Sequence, residues 1–482
     1  MADPRSQARL LRGLRPQDRA RLRSACNFAR EHLSGVARRS GENYAFHGEE
    51  VAEVLREISA DASLLSVAVL HDLSMHPQGE KLLQASPLTP DERSRVQSMQ
   101  SLRHLRIDAS TDDLDLVITS FLDDPVLLPL RMAHRLNDVR HLDRLPEEMQ
   151  RGIATESLHM YAAIAGRLGM HRWRSDMEDR CFRTLYPTEY AALRQEFARM
   201  KEIDETCMSH ARRYLLQAMR KRGIHCRIDT RIKGVYSTYR KMIVKQRPFK
   251  DLTDRLAVRI ITKEKDDCYR ALGVVHECLH LMPGKLKDYI GAPKENGYRS
   301  IHTIVYPLPG VTELPIELQI RTEDMHRECE FGIAAHGDYK NAAYALESLP
   351  SRVNLFKNLA TLRGEARTPK QFASMLRTYF REDHVAVFDT RSNLYHLKKP
   401  ATALDFICLA FEQRLARLRA VRINGRERSL DSALRDGDTV EAVFGRARGA
   451  SEAWTRAVMH EHSKTLIKQL LQGNRKPTIV EA

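Results

Sequence analysis

A single change of apolar rhythm, near residue 223, limits what this chain can become. Through residue 195 the hydrophobic residues recur at helical spacing: Val51, Leu55 and Ile58 form one stripe, and Leu64, Leu65, Ala68 and Leu70 another. The spacing resumes through Leu127–Leu142 and Ile153–Leu168, and residues 190–222 read as a charged connecting helix. Residues 86–115 are polar, with Pro87, Pro90 and an Asp-rich run, and read as a loop or mobile insertion. After 223, short runs turn strand-like: Leu256–Ile261, Thr303–Tyr306 and Pro315–Arg321, with Cys268–His280 as a helix between them. That alternation predicts a mixed α/β domain ending near Lys340. Residues 343–380 return to helix. Residues 384–446 carry Val385–Phe388, Ala420–Ile423 and Thr439–Val443 as strands, a helix near 402–413, and turns at Asn424-Gly425 and Asp436-Gly437. This is a β-rich module of roughly ubiquitin size, followed by one helix and a tail.

The 482 residues allow three or so domains. A net charge of +15, from 78 Lys+Arg against 63 Asp+Glu, favours an anionic partner, nucleotide or nucleic acid. Eight scattered cysteines with no CxxC pair imply neither a zinc site of that type nor a disulfide framework, and reduced thiols point to a cytoplasmic home. The Arg-rich start has no apolar core of a signal peptide, and no apolar run is long enough for a membrane span.

The stretch Gly284–His302 has neither apolar period over most of its length and reads as a loop. It holds four cationic side chains, Tyr298 beside Gly297 (a tyrosine that reads as exposed), and His302. Such a loop between apolar strands suits a polyphosphate and a flat base, although composition alone fits a solvated basic loop equally well. On the strand Pro315–Arg321, Ile316, Leu318 and Ile320 face the core, and Glu317, Gln319 and Arg321 share the other side. Asp254 precedes the first strand, and two carboxylates from separate strands can bracket one Mg²⁺. Ser237 and Lys241 are four apart, on one face of a helix, with Arg231 and Lys233 placed at its N-terminus. No Walker A string occurs, so side chains must hold the phosphates.

Residues 223–340 resemble the synthetase domain of the RelA/SpoT family, the long alarmone synthetase/hydrolases. The resembling strings are RIKGVYSTYRKM, DLTDRLAVRII, DCYRALGVVHE, KDYIGAPKENGYRSIHT, IELQIRT and MHRECEFGIAAH. The resemblance implies a nucleotidyltransferase-like fold that transfers pyrophosphate from ATP to the ribose 3′-OH of GDP or GTP. Arg231 is then expected on adenine, and Lys233, Ser237, Lys241, Arg259 and Lys294 on the ATP phosphates. Asp254 is expected on Mg²⁺. Glu317 is expected to assist that ion or activate the 3′-OH. Tyr298 is expected on guanine, with Asn296, His302 and Lys287 on the acceptor. The string Lys285-Leu-Lys287-Asp288 follows the family's basic type, which accompanies two-activity enzymes.

Arg38–His47 and Leu70-His71-Asp72 resemble the family's all-α HD-type hydrolase domain, with Ala133-His134-Arg135-Leu136 further on. The resemblance makes His47, His71 and Asp72 ligands of a divalent ion, Mn²⁺ in the family's hydrolases, and puts His134 where the fourth ligand is normally Asp. Met75 and His76 replace the family's Glu-Asp pair, which removes the groups that would orient and activate water. Taken singly, His134 and His76 read most simply as ordinary surface or core histidines. Residues 384–446 resemble the TGS domain, a β-grasp module. Ala416 stands where ribosome-bound relatives carry a histidine that reads uncharged tRNA, and the family's further C-terminal docking domains do not follow. Both departures count against ribosome and tRNA as partners. The expected organisation is 1–195 HD-type (pseudo)hydrolase, 196–222 linker helix, 223–342 synthetase, 343–383 connecting helices, 384–446 TGS, and 447–482 helix and tail. The expected function is (p)ppGpp synthesis with an inactive hydrolase domain. The alternatives are a bifunctional or hydrolase-dominant enzyme, or a non-catalytic nucleotide- or tRNA-binding regulator.

Overall fold

The computed structural model describes residues 5–38, 40–103, 124, 126–246, 248–249, 256–294, 298–306, 315–332, 384–390, 394–435, 438–445 and 450–473. The expected helices of 343–380 and the turn Asp436-Gly437 lie outside them. Two units separate: Met1–Leu286 with Asn296–Phe380, and Lys287–Glu295 with Arg381–Ala482.

The first unit begins with helices α1 (Arg5–Leu11), α2 (Pro16–Leu33), α3 (Tyr44–Arg56), α4 (Ala62–Leu70), α5 (Gly79–Ala85), α6 (Pro90–Arg103), α7 (Leu127–Arg140), α8 (Glu147–Glu156), α9 (Ala162–Arg167), α10 (His171–Leu185) and α11 (Pro187–Lys221). Asn43 and Asp61 cap α3 and α4 by accepting the amides of Phe46 and Ser63, each at 3.0 Å. Helix α4 is buried along almost its whole length, as is α7, so the two form the centre of the helical core. Gly48 brings α3 onto α4: a Cβ there would lie 2.2 Å from the Val69 carbonyl oxygen.

Helix α6 corrects the expectation of a loop across 86–115, at least over Pro90–Arg103. Thr89 and Glu92 exchange hydrogen bonds across its first turn, a capping box with Pro90 at the first helical position. Glu92 also accepts from Arg21 at 2.6 Å and from Ser63. Val96 and Met99 anchor the helix in the core. Residues 104–123 lie outside the description.

Beyond α11 come β1 (Cys226–Ile232), α12 (Val235–Lys245), β2 (Leu256–Thr262), α13 (Lys265–Cys278), β3 (His280–Leu281), β4 (Ile301–Tyr306), β5 (Ile316–Thr322) and α14 (Glu323–Phe331). The strands lie in the order β1-β2-β5-β4-β3. Only β2 and β5 run parallel among the registered pairs; β1–β2, β3–β4 and β4–β5 are antiparallel.

The second unit holds the pair β6 (His384–Phe388) and β7 (Leu394–Lys398), helix α15 (Ala403–Ala410), and a sheet of β8 (Leu418–Ile423), β9 (Arg426–Arg428) and β10 (Val440–Phe444). Asn424 and Gly425 turn β8 into β9 with φ of 54° and 77°, the left-handed pair that a tight hairpin needs. Two helices close it, α16 (Glu452–Ala457) and α17 (Glu461–Gly473), where the sequence predicts one. The break between them has a cause: Asp405 accepts the amides of Met459 and His460 at 3.0 and 3.1 Å.

Candidate functional site

Strand register gathers the polar residues of the sheet onto one side. Asp229 pairs with Arg259, and Arg231 with Ala257; Ala257 pairs with Glu317, and Arg259 with Gln319; His302 also pairs with Gln319. Cross-strand partners share a face, as do residues two apart on one strand, whereas successive residues do not. Arg231, Arg259, Glu317, Gln319, Arg321 and His302 therefore look one way. Ile228, Val258, Ile260, Leu318, Ile320 and Ile301 fill the other side, all buried.

Glu317 is the hub of that face. Lys233 Nζ donates to one carboxylate oxygen at 2.8 Å, while Gln319 Nε2 donates to the other at 3.2 Å and His302 Nδ1 lies 3.2 Å from it. Burial alone would raise this carboxyl, but His302 and Lys233 outweigh it and hold it well below the usual carboxylate range. The chain of contacts continues from His302 Nε2 to the Tyr298 hydroxyl at 2.5 Å. Tyr298 is half-buried rather than exposed, with the His171 ring edge-on at 5.6 Å. Burial pushes its phenol above the ordinary range, so it stays neutral.

Beside this hub lies a pocket of about 310 Å³ lined by six cations, Arg174, Arg231, Arg240, Lys241, Arg259 and Arg321, against two carboxylates, Glu178 and Glu330. Ser237, Gln319, Tyr298, His171 and Cys329 line it too. Glu330 lies 3.1 Å from Arg259 and 3.5 Å from Arg321, and so is shared between two guanidinium groups. Burial lowers the Arg259 pKa, with Arg321 adding to the effect and Glu330 opposing it. The Nε atoms of Arg259 and Arg321 are buried without hydrogen bonds among the described residues. An anion entering here would relieve both deficits.

Helix α12 places Ser237, Arg240 and Lys241 on one face, as the i, i+3, i+4 spacing dictates. Its start differs from expectation. Arg231 belongs to β1, and only Lys233 flanks the helix, next to the N-cap Gly234. Gly234 has no side chain with which to cap, and Asp179 on α10 does so instead, accepting the Tyr236 amide at 2.8 Å. A Cβ on Gly234 would come within 2.8 Å of that carboxylate.

Of the residues expected on ATP, Arg231, Ser237, Lys241 and Arg259 line the pocket and Lys233 joins the Glu317 hub. Of those expected on the acceptor, Tyr298 lines the pocket and His302 touches Glu317. Asp254 and Asn296 lie outside the described residues. Lys287 and Lys294 fall in the stretch that groups with the second unit, where Lys287 is exposed and Lys294 Nζ sits 4.6 Å over the Tyr289 ring. Sequence reasoning missed His171, Arg174, Ser175 and Glu178, which α10 brings from the helical half, and also Arg240, whose spacing from Ser237 was the available signal.

The helical half holds a second cluster. His47, His71, Asp72 and His134 each offer a ligand atom within 4.8 Å of the others, and all four are buried. His134 thus joins the other three instead of standing alone. Its imidazole is held to about pKa 3, chiefly by burial, with Asp138 opposing. His47 Nε2 is buried without a hydrogen bond among the described residues. An orphaned imidazole nitrogen beside two more imidazoles and a carboxylate suits a divalent metal. His76 lies apart, its Nδ1 accepting the Gln78 amide at 3.1 Å, and Met75 packs against the apolar core.

Residues 230–344 match the model of a region found in RelA/SpoT proteins, and residues 25–171 that of an HD domain. The bifunctional (p)ppGpp synthase/hydrolase SpoT of Escherichia coli is 30% identical over 480 residues, which is 96% of this chain and 66% of that protein. A probable GTP pyrophosphokinase of Mycobacterium leprae is 32% identical over 473 residues, 96% of this chain and 60% of the relative. A probable guanosine-3′,5′-bis(diphosphate) 3′-pyrophosphohydrolase of Synechocystis is 30% identical over 459 residues, 93% of this chain and 60% of the relative. The chain thus spans three fifths to two thirds of these relatives.

Proposed function

The chain belongs to the RelA/SpoT family, and from that premise we propose that it transfers pyrophosphate from ATP to the 3′-OH of GDP or GTP. The observation that carries this reading is the convergence of Arg231, Ser237, Lys241, Arg259 and Tyr298 on one cationic pocket beside an ionised Glu317. Arg231 packs on adenine; Lys233, Ser237, Lys241 and Arg259 hold the phosphates; Tyr298 stacks on guanine beside His302; a phosphate role for Lys294 and acceptor roles for Asn296 and Lys287 rest on the family resemblance. The 3′-oxygen attacks the β-phosphorus of ATP, the bond to the α-phosphate oxygen breaks, and AMP leaves. Glu317 accepts the hydroxyl proton, with His302 orienting the carboxylate and Lys233 balancing its charge. Mg²⁺, when bound through Asp254 and Glu317, supplies charge neutralisation for the transferring group. The direct test is incubation with Mg²⁺, GDP or GTP, and ATP labelled in its γ-phosphate. Label on a 3′-phosphorylated guanosine with release of AMP is the expected product, and its absence refutes the reading.

Tyr298→Ala raises the KM for GDP or GTP about 10- to 100-fold with the KM for ATP little changed, since a stacked base is worth roughly 1–3 kcal/mol. Tyr298→Phe keeps the ring and the KM. Equal KM values in Tyr298→Ala and the parent protein would remove the stacking role.

In this reading the HD-type domain no longer hydrolyses alarmone. Met75 and His76 supply no carboxylate, and the nearby acids are already engaged: Glu42 accepts from Arg38 at 2.8 Å and Asp138 from Arg38 at 3.0 Å. The full chain supplied with Mn²⁺ releases no pyrophosphate from ppGpp beyond a metal-only blank; rapid release would overturn this. Residues 384–446 act as a TGS-type β-grasp module, with Ala416 in the turn of helix Glu412–Arg417 and no tRNA-reading histidine there. A cytoplasmic enzyme fits these substrates. No helix of the described residues is long and apolar enough to cross a membrane.

A further inference from the structure

Three separate segments supply the buried histidine cluster: His47 comes from the first turn of α3, His71 and Asp72 from the cap and turn that follow α4, and His134 from the middle of α7. The three rings pack against one another with centroids 5.0–5.4 Å apart. His71 Nδ1 donates to the Ala68 carbonyl at 2.6 Å, and His134 Nδ1 lies 3.2 Å from the Asp138 carboxylate. Each contact keeps a proton on Nδ1 and leaves Nε2 as the donor nitrogen. At His47 the Arg38 guanidinium donates to Nδ1 at 2.7 Å, which puts the neutral ring's proton on Nε2, 3.6 Å from Asp72; an ion on Nε2 moves that proton to Nδ1, where Glu42 lies 3.5 Å away to accept it.

We propose that His47, His71, Asp72 and His134 form a closed four-ligand site for one nitrogen-preferring divalent ion, Zn²⁺ by its chemistry, and that His134 sets this preference. Zn²⁺ takes four ligands of this kind, whereas Mn²⁺ and Mg²⁺ favour oxygen-rich sites of higher coordination. A carboxylate at position 134 would make the set half oxygen; the imidazole makes it three-quarters nitrogen. For a four-coordinate ion these four protein donors complete the ligand set, so the ion ties α3, α7 and the turn after α4 together. The inference is independent of the synthetase reading, and its readout is metal binding rather than turnover.

The test uses the full chain without a histidine tag, stripped with a chelator and reloaded with Zn²⁺, Mn²⁺ or Co²⁺. One equivalent of Zn²⁺ is expected, and the Co²⁺ form should show the strong visible absorption of four-coordinate cobalt without a thiolate band. Most sites rank Zn²⁺ above Mn²⁺, so that order decides nothing alone. The response of the ratio to position 134 does decide: His134→Asp should lower the Zn²⁺:Mn²⁺ affinity ratio about 10-fold and weaken the cobalt absorption, with a parent-like helical circular dichroism spectrum confirming an intact fold. Failure to retain stoichiometric Zn²⁺, a weak six-coordinate cobalt spectrum, or an unchanged ratio in His134→Asp would each overturn the proposal.

Discussion

Glu317→Gln lowers kcat for pyrophosphate transfer about 10²- to 10⁴-fold, the range that a positioned general base supplies. The amide matches the carboxylate in size, so Lys233, Gln319 and His302 keep a neighbour of the same shape, while the loss of their ion-pair partner lowers the thermal midpoint. What disappears is the charge. A neutral amide can neither take the hydroxyl proton nor hold Lys233 and His302 as ion-pair partners. The pH profile carries a second check. Because the folded-state pKa of Glu317 is depressed, its stabilising contribution is present above the ordinary carboxylate pKa and is lost as pH falls through the lower, folded value. The carboxylate is therefore ionised throughout the neutral range, and no inflexion above about pH 5 belongs to it. Parent-like kcat in Glu317→Gln would take the carboxylate out of the chemistry.

Gly48→Ala destabilises the helical core by about 3 kcal/mol, at the upper end of overpacking costs. The new methyl would meet the Val69 carbonyl oxygen at 2.2 Å, and a backbone atom cannot swing aside as a flexible side chain does. Helix α3 must back away from α4. Those two helices carry His47 and His71, so metal affinity falls along with stability. The first thermal transition drops about 5–10 °C. Gly152→Ala is the control: nothing lies within 4 Å of a Cβ there, on an exposed helix, so alanine's better helix propensity raises stability slightly. Equal midpoints for Gly48→Ala and the parent would mean that the close approach is not a constraint.

What could be read from the sequence follows from which interactions are local. Ile316, Leu318 and Ile320 announced their strand because a half-buried strand alternates, and the same alternation put Glu317, Gln319 and Arg321 together. Ser237 and Lys241 were legible because helix spacing is fixed. Helix α6 was missed because, among its residues whose burial is described, only Val96 and Met99 bury apolar side chains, and the signal that remained was the capping box Thr89-Pro-Asp-Glu. Arg231 was misplaced because β1 runs on to Ile232, so that the turn to α12 is only Lys233-Gly234. Spacing alone could not pair His134 with His47, since the 86 intervening positions carry no information about which helices cross; only the family resemblance put them together. The share of the pocket that belongs to α10 is of the same kind: His171, Arg174 and Glu178 carry no motif, and tertiary packing alone aims them.

That helix belongs to more than one core. Trp173 and Met177 are sealed among the N-terminal helices, while Phe182 packs with Val235 and the rings of Tyr190, Tyr236 and Tyr239. Asp179 between them caps the helix that presents Ser237 and Lys241. A cut anywhere between 195 and 223 would therefore not liberate a free-standing synthetase. The released piece would lose one wall of its pocket, the cap of the helix that carries Ser237 and Lys241, and an aromatic seam. Even without chemistry of its own, the N-terminal domain is a structural part of its neighbour's pocket, so the unit of folding here is larger than the unit of catalysis.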